Sequence, residues 1–385
     1  MIIQWYHVYF LVLIAGTVAV LLLTPAAQKA AARFGVMDRP SGEKHKFHGK
    51  AVPLLGGAAM FCGWLLVLAA GLLVWSRLSS WQQTEVINVY FDGAYSVIDR
   101  VVFLALGAFL ATALGTFDDI KHLKAHWKFL GQLVVALIAA GPGGIRISLF
   151  VEAPWFGFAV TVFWFMMLMN AINFFDNMDG LAAGTSFIAL SVFTVAAGFQ
   201  QQYFTAALSA LGAGCALGFW FYNYTPASIF MGDGGSHLLG YWLALSSAGT
   251  TFFNPASASS RLSVLIPLCI LLVPIFDAVT VTVVRTLNGK PFWIGDHNHI
   301  SHRFVRMGLS RKRAVQLVHI LCLLTSVSAL PMLWGSLATT AVIVLQMILL
   351  LALITILQYA VIPKDLDSVV PPDKDSQVSS EEKKE

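Results

Sequence analysis

Long apolar runs dominate the chain, and short polar stretches punctuate them. A helix needs about 20 mostly apolar residues to cross a bilayer, with a range of roughly 17–25. Runs of that kind occur at 8–27, 53–75, 101–117, 128–145, 155–173, 181–199, 203–222, 236–252, 262–284, 315–333 and 336–358. The run at 128–145 is weak because it ends in the breaker Gly141-Pro142-Gly143-Gly144, and 236–252 is weak because it is short. None has the roughly 10-residue alternation of a membrane β-barrel strand. The pattern predicts an all-α polytopic membrane protein of about eleven transmembrane helices.

Composition agrees with that reading. Of 385 residues, 57% are hydrophobic and 11% charged, against about 25% charged in a soluble domain. The mean hydropathy is +0.74. Charge placement adds an orientation. With the first connection placed inside, all of the 24 Lys and Arg except Arg77, Arg100, Arg146 and Arg261 fall on the cytoplasmic side. Such a bias predicts the N-terminus outside and the C-terminus in the cytoplasm. One helix more or fewer would scramble it. The first run lacks a basic leader and is long enough to span, so a retained helix is expected. Cys62, Cys215, Cys269 and Cys322 lie in apolar runs without metal-ligand spacing and read as packing residues. Residues 1–362 form the expected transmembrane catalytic domain. The Asp/Lys/Ser/Glu-rich segment 363–385 reads as a disordered cytoplasmic tail.

The unusual polar residues fall in the five connections that this topology puts in the cytoplasm. The first holds His45, His48 and Pro53-Leu54-Leu55-Gly56-Gly57, where basic groups either meet a phosphate or anchor the chain. The second carries the adjacent acids Asp118 and Asp119, followed by Lys124, Lys128 and Gln132. Adjacent carboxylates repel unless a cation or a shared proton relieves them, although an Asp at a helix end also caps. The third, Asn170 to Leu181, places Asn170, Asn173, Asp176 and Asp179 three residues apart along one polar stripe, with Asn177 and Gly180 between and after them. The fourth runs from Asn223 through Phe230 to Gly232-Asp233-Gly234-Gly235-Ser236, an acid flanked by glycines at a helix start. The fifth contains Asp296-His297-Asn298-His299-Ile300-Ser301-His302-Arg303. Its spacing suits a diphosphate better than zinc, since Arg makes bidentate contacts to phosphate. Asp277 sits inside a predicted span, where an acid is either paired, for instance with Arg285, or part of a site.

Taken together, Asp118, Asp119, Asp176, Asp179 and Asp233 share one membrane face with a His/Arg loop. That inventory suits a Mg²⁺-dependent reaction on a phosphate ester, with one substrate from the cytosol and an apolar one from the bilayer. Intramembrane acids also mark cation-coupled transporters. Those place their acids near the midplane between two repeats; here all but Asp277 lie at predicted cytoplasmic ends, and no repeat is evident.

The motifs resemble a known family. H-G-K-A-V-P-L-L-G-G (48–57), G-T-F-D-D (115–119), N-A-I-N-F-F-D-N-M-D-G-L-A-A-G (170–184), N-Y-T-P-A-S-I-F-M-G-D-G-G-S (223–236), P-I-F-D (274–277) and D-H-N-H-I-S-H-R (296–303) are similar to those of the polyprenyl-phosphate N-acetylhexosamine-1-phosphate transferases, the MraY/WecA-like membrane enzymes. The resemblance implies transfer of a sugar-1-phosphate from a UDP-amino sugar to a polyisoprenyl phosphate such as undecaprenyl phosphate, with release of UMP, at the cytoplasmic face of a bacterial inner membrane. By analogy Asp233 is the metal ligand, for Mg²⁺ or alternatively Mn²⁺. Asp118, Asp119 and Asp176 are the implied catalytic acids. Asn173, Asp179, Asn223, Phe230, His299, His302, Arg303, Lys128 and His48 are the implied substrate-binding residues. No nucleic-acid partner is implied, and a homodimer is left open.

Three positions depart from the common pattern. His122 stands where many members carry an acid or Lys, Asn177 replaces the Gly of D-G-x-D-G, and Ser301 replaces the middle His of H-x-H-H-R. The chain also lacks the three consecutive His of the peptidoglycan branch. That favours the WecA-like branch and a UDP-GlcNAc donor over UDP-MurNAc-pentapeptide.

Overall fold

Each predicted run appears as helix in the computed structural model, which describes residues 5–38, 51–79, 98–148, 150–151, 153–253, 260–291 and 298–360. The first helices are α1 (Trp5–Phe34), α2 (Gly56–Ser79), α3 (Ile98–Lys121) and α4 (Ala125–Ala140). Next come α5 (Pro154–Phe175), α6 (Leu181–Phe199), α7 (Tyr203–Asn223) and α8 (Gly232–Gly249). A 3₁₀ turn (Arg261–Leu265) leads into α9 (Ile266–Ile270) and α10 (Leu272–Leu287). The chain continues through α11 (Ile300–Arg306), α12 (Arg311–Ala329) and α13 (Leu337–Ala360). The predicted tail and His48 lie outside the described residues.

Local signals explain several ends. Helix α3 has Asp99 in its first turn and Lys121 in its last, matching the helix dipole. Pro154 occupies the first turn of α5, where its missing N–H costs nothing. Helix α4 stops at the Gly-Pro-Gly-Gly breaker, and Gly141 closes it through an N–H bond to the Leu137 carbonyl at 2.8 Å.

Among the described residues, eight helices are long and apolar enough to cross a membrane, or nine if the bent pair counts as one. That pair is the predicted span 262–284, which breaks at Leu271 and turns by 72° between Arg261–Ile270 and Leu272–Leu287. Pro267 and Pro274 flank the break, and each removes a backbone donor. The two weak runs, α4 and α8, are those that fall short. For α8 the reason is tertiary. It packs against α2, α3, α5, α6 and α7, and Gly234 through Ala248 are all buried. A helix sheathed in protein need not present an apolar surface to lipid. Small residues and interhelical hydrogen bonds serve it better. Accordingly, Tyr241 donates to the Leu104 carbonyl at 2.9 Å, and Trp164 Nε1 donates to Ser247 Oγ at 2.8 Å. Helices α1 and α13 show the opposite character, with Phe10, Leu22, Ile348 and Leu353 exposed on their outer faces.

One feature was not predicted. Met37–Asp38 and Val52–Pro53 form a two-residue antiparallel ladder (β1 and β2), with Met37 opposite Pro53. It ends in the Pro53–Gly57 turn, which docks by backbone on the fourth polar connection. Phe230 N–H donates to the Pro53 carbonyl at 2.8 Å, and Gly56 and Gly57 donate to the Phe230 and Met231 carbonyls at 3.1 and 3.0 Å.

Candidate active site

Four helix ends meet at one end of the bundle: the C-termini of α3 and α5 and the N-termini of α4 and α8. The sequence puts an acid, amide or ammonium group at each. Lys128, in the first turn of α4, lies between two carboxylates. Its Nζ is 2.9 Å from Asp118 Oδ2 and also donates to Asp233 Oδ2. Asn173, near the end of α5, donates to Asp233 Oδ1 at 2.8 Å and to Ser236 Oγ at 2.9 Å. Residues of four different helices are therefore joined through Asp233.

Asp119 has a different task. Its carboxylate accepts the backbone N–H of Asp233 at 2.9 Å and of Gly234 at 3.4 Å. It caps α8 and presents Asp233 from the opposite side. The capping alternative for the adjacent acids thus holds for Asp119, while Asp118 keeps a carboxylate oxygen on Lys128. The close approach depends on Gly232, whose φ is +67° and whose added Cβ would lie 2.3 Å from Asp119 Oδ2.

Asp176 follows the last residue of α5. Its carboxylate makes no hydrogen bond or ion pair among the described residues. Burial first, then the negative charges of Asp233, Asp179 and Asp119, push its pKa up to about 8. Asp179 accepts the Ala227 N–H at 3.0 Å, and Asn223 spends its amide on Gly180 N–H and the Ile229 carbonyl, both at 3.0 Å. Asn223 therefore clamps the third and fourth connections together, and it is buried. Phe230 lies in the same clamp through its backbone.

The His/Arg arm sits on α11. Asp277 is buried beside it and accepts His299 Nδ1 at 2.7 Å and Ile300 N–H at 2.6 Å. Asp277 is thus paired, with the arm as its hydrogen-bond partner. Arg303 Nε donates to the Asn298 carbonyl at 2.8 Å, and the His299 and His302 rings are 6.3 Å apart.

Below the acids lies a layer that joins Gln132 and Asn170, both singled out in the sequence, to His237, which sequence reasoning missed. Gln132 Nε2 pairs with His237 Nε2 at 2.8 Å, His237 Nδ1 with the Asp233 carbonyl at 2.6 Å, and Asn170 Nδ2 with Gln132 Oε1 at 2.7 Å. His237 was detectable, being a polar ring inside a predicted span and one helical turn beyond Asp233. A cavity of about 560 Å³ lies at the other end of the bundle, lined by Arg100, Arg146, Trp164 and Thr250 among others, and shares no residue with the acid cluster.

The acids thus gather at helix ends, and the His/Arg arm is hydrogen-bonded to the loop that carries Asp176 and Asp179. Residues 101–250 match the model of glycosyl transferase family 4. A Bacillus subtilis protein named "Probable undecaprenyl-phosphate N-acetylglucosaminyl 1-phosphate transferase" is 34% identical over 326 residues, covering 82% of this chain and 83% of the relative. This chain belongs to glycosyl transferase family 4. A decaprenyl-phosphate N-acetylglucosaminephosphotransferase of Mycolicibacterium smegmatis is 33% identical over 75% of this chain and 73% of its own length. A phospho-N-acetylmuramoyl-pentapeptide-transferase of Listeria monocytogenes is 31% identical over 64% and 74%. In this family 4 glycosyl transferase, the Asp118 and Asp233 carboxylates flank Lys128, and Asp277 anchors the His/Arg arm.

Proposed function

We propose that this protein transfers GlcNAc-1-phosphate from UDP-GlcNAc to a polyisoprenyl phosphate such as undecaprenyl phosphate, the first lipid-linked step of a cell-envelope glycan. An oxygen of the lipid phosphate forms a bond to the phosphorus that carries the sugar. The bond from that phosphorus to the bridging oxygen breaks, and the oxygen leaves with UMP. The convergence of Asp118, Lys128, Asn173 and Asp233 carries this reading. The relatives reported above, named for polyprenyl-phosphate sugar transfer, support it.

A divalent cation is part of the proposal. Mg²⁺ is commonly held by one or two carboxylates with waters and substrate phosphates completing its shell. Asp233 and Asp118 offer hard oxygen donors that already share one positive charge, that of Lys128. The donor set fits Mg²⁺, or Mn²⁺, with Asp233 as the main ligand. When bound, the ion supplies neutralisation of diphosphate charge. The chain's own groups do the rest. Lys128 and Asn173 hold the Asp233 carboxylate in place. Asp176, whose carboxylate makes no hydrogen bond or ion pair among the described residues, is the group we assign to accept a proton from the attacking lipid phosphate. His299, His302 and Arg303 meet the diphosphate and sugar, and Asp179, Asn223 and Phe230 shape the nucleotide end.

The topology belongs to the same proposal: eleven spans, the N-terminus outside, the C-terminus in the cytoplasm, and the site at the cytoplasmic face of the inner membrane. The Lys and Arg distribution supports it. The deciding experiment is UMP release from a panel of UDP-sugars with undecaprenyl phosphate and Mg²⁺. UDP-GlcNAc should be the preferred donor. Absence of UMP from every donor overturns the reaction, and preference for UDP-MurNAc-pentapeptide overturns the donor.

A further inference from the structure

We propose that Asn177 and Ser301 act together as a latch that sets the distance between the acidic loop and the His/Arg arm, and so governs how tightly the nucleotide sugar is held. The proposal rests on the transferase reading above. Ser301 Oγ donates to Asn177 Oδ1 at 2.6 Å, and Asn177 Nδ2 donates to the Phe174 carbonyl at 3.1 Å. Because a carbonyl accepts only, Nδ2 must face Phe174, which turns Oδ1 to the Ser301 hydroxyl. Ser301 is fully buried. Removing the amide takes this partner from a hydroxyl that water does not reach.

The positions give the bond its importance. Asn177 lies between Asp176 and Asp179, and Ser301 lies between His299 and the pair His302-Arg303. Two further anchors of the arm run to other helices. Asp277 of α10 holds its start, and Gln358 of α13 donates to the Ile300 carbonyl at 3.3 Å. Those bonds fix the arm to the scaffold, whereas the Asn177–Ser301 bond ties it to the loop that carries two of the acids.

The same pair accounts for two of the three departures noted in the sequence. In the common pattern, position 177 has no side chain and position 301 carries an imidazole. Here the bulk is exchanged: an amide fills the loop side, and a small hydroxyl remains on the arm. With the two groups 2.6 Å apart and Ser301 fully buried, an imidazole at 301 would have to displace the Asn177 amide. Asn177 and Ser301 are positioning residues that act through their neighbours.

The test uses the full chain in detergent or nanodiscs, with Asn177→Ala, Ser301→Ala, both together, Ser301→His, and Asn177→Gly/Ser301→His. UMP release is followed while UDP-GlcNAc and lipid phosphate are varied separately, and thermal stability is measured in parallel. Each alanine variant should raise KM for UDP-GlcNAc about tenfold, the equivalent of about 1.4 kcal/mol, with kcat and the KM for lipid phosphate little changed. The double alanine variant should be no worse than the worse single. Ser301→His should fail where the compensated double recovers. Additive losses, or a fall in stability with KM unchanged, overturn the latch. Wild-type protein that releases no UMP overturns the transferase reading and the latch's role in donor binding with it. Non-additive stability changes would then still report the contact itself.

Discussion

Replacing Gly115 by Ala should disable the site without touching any polar group in it. Gly115 is buried where α3 crosses the start of α8. A Cβ there would lie 2.2 Å from the carbonyl carbon and oxygen of Asp233 and 2.4 Å from Gly234 N. Ordinary contact begins near 3.4 Å, so the two helices must part by about 1.2 Å. The obstructing atoms are backbone, which cannot swing aside as a side chain would. Parting by that amount takes the Asp119 bonds to Asp233 N–H and Gly234 N–H, now 2.9 and 3.4 Å, beyond hydrogen-bonding distance. Asp233 is also drawn away from Lys128 and Asn173. Overpacking of this kind costs about 1–3 kcal/mol of stability, and a displacement of about 1 Å at a reacting centre costs on the order of 100-fold in rate. The assay is UMP release at saturating substrates, with thermal unfolding in detergent alongside. Gly71→Ala is the control, since nothing lies within 4 Å of its added Cβ. Wild-type turnover and stability in Gly115→Ala would refute the placement of Asp119 and Asp233 against each other.

Other outcomes follow from the same geometry. Asp233→Asn should abolish turnover and the Mg²⁺ response while the protein still unfolds cooperatively near the wild-type temperature; near-normal activity removes its metal role. Asp176, with its pKa pushed up to about 8, is protonated below that pH and ionised above it, so kcat/KM should rise through about pH 8, and Asp176→Asn should flatten the limb. Because its folded form holds the proton more tightly than an unfolded Asp near 3.9, its contribution to stability is full at low pH and fades as pH rises from about 4 to 8. A melting temperature that rises over that range because of Asp176 would contradict the sign. Asp277→Ala should free His299 and leave Ile300 N–H unpaired. The expected loss in kcat/KM for the donor is about tenfold or more, and unchanged kinetics would show that the arm does not need this anchor.

How much of this was legible beforehand depended on the kind of information involved. Apolar runs are local, so each predicted span has a helical counterpart; the Gly-Pro-Gly-Gly breaker ended α4 because glycine and proline act on their own backbone. The polar residues of the five connections were also visible, because a membrane chain makes them conspicuous. What one residue does with a particular neighbour is set by residues distant in sequence. Asp118 and Asp119 look alike as a pair, yet one faces Lys128 and the other caps a helix that begins 113 residues later. Asp277 could have paired with Arg285 on its own helix, but its bonds go to His299 and Ile300. Helix α8 looked weak because its apolar run is short, a criterion that assumes a lipid neighbour, and its neighbours are five other helices. Asn177 and Ser301 appeared as two unrelated departures until the fold set them 2.6 Å apart. Local patterning therefore determined the membrane class, the helices and the pool of candidate residues. Only long-range packing decided which of those residues share a hydrogen bond, a charge or a helix end, because those energies depend on distances that sequence separation does not encode.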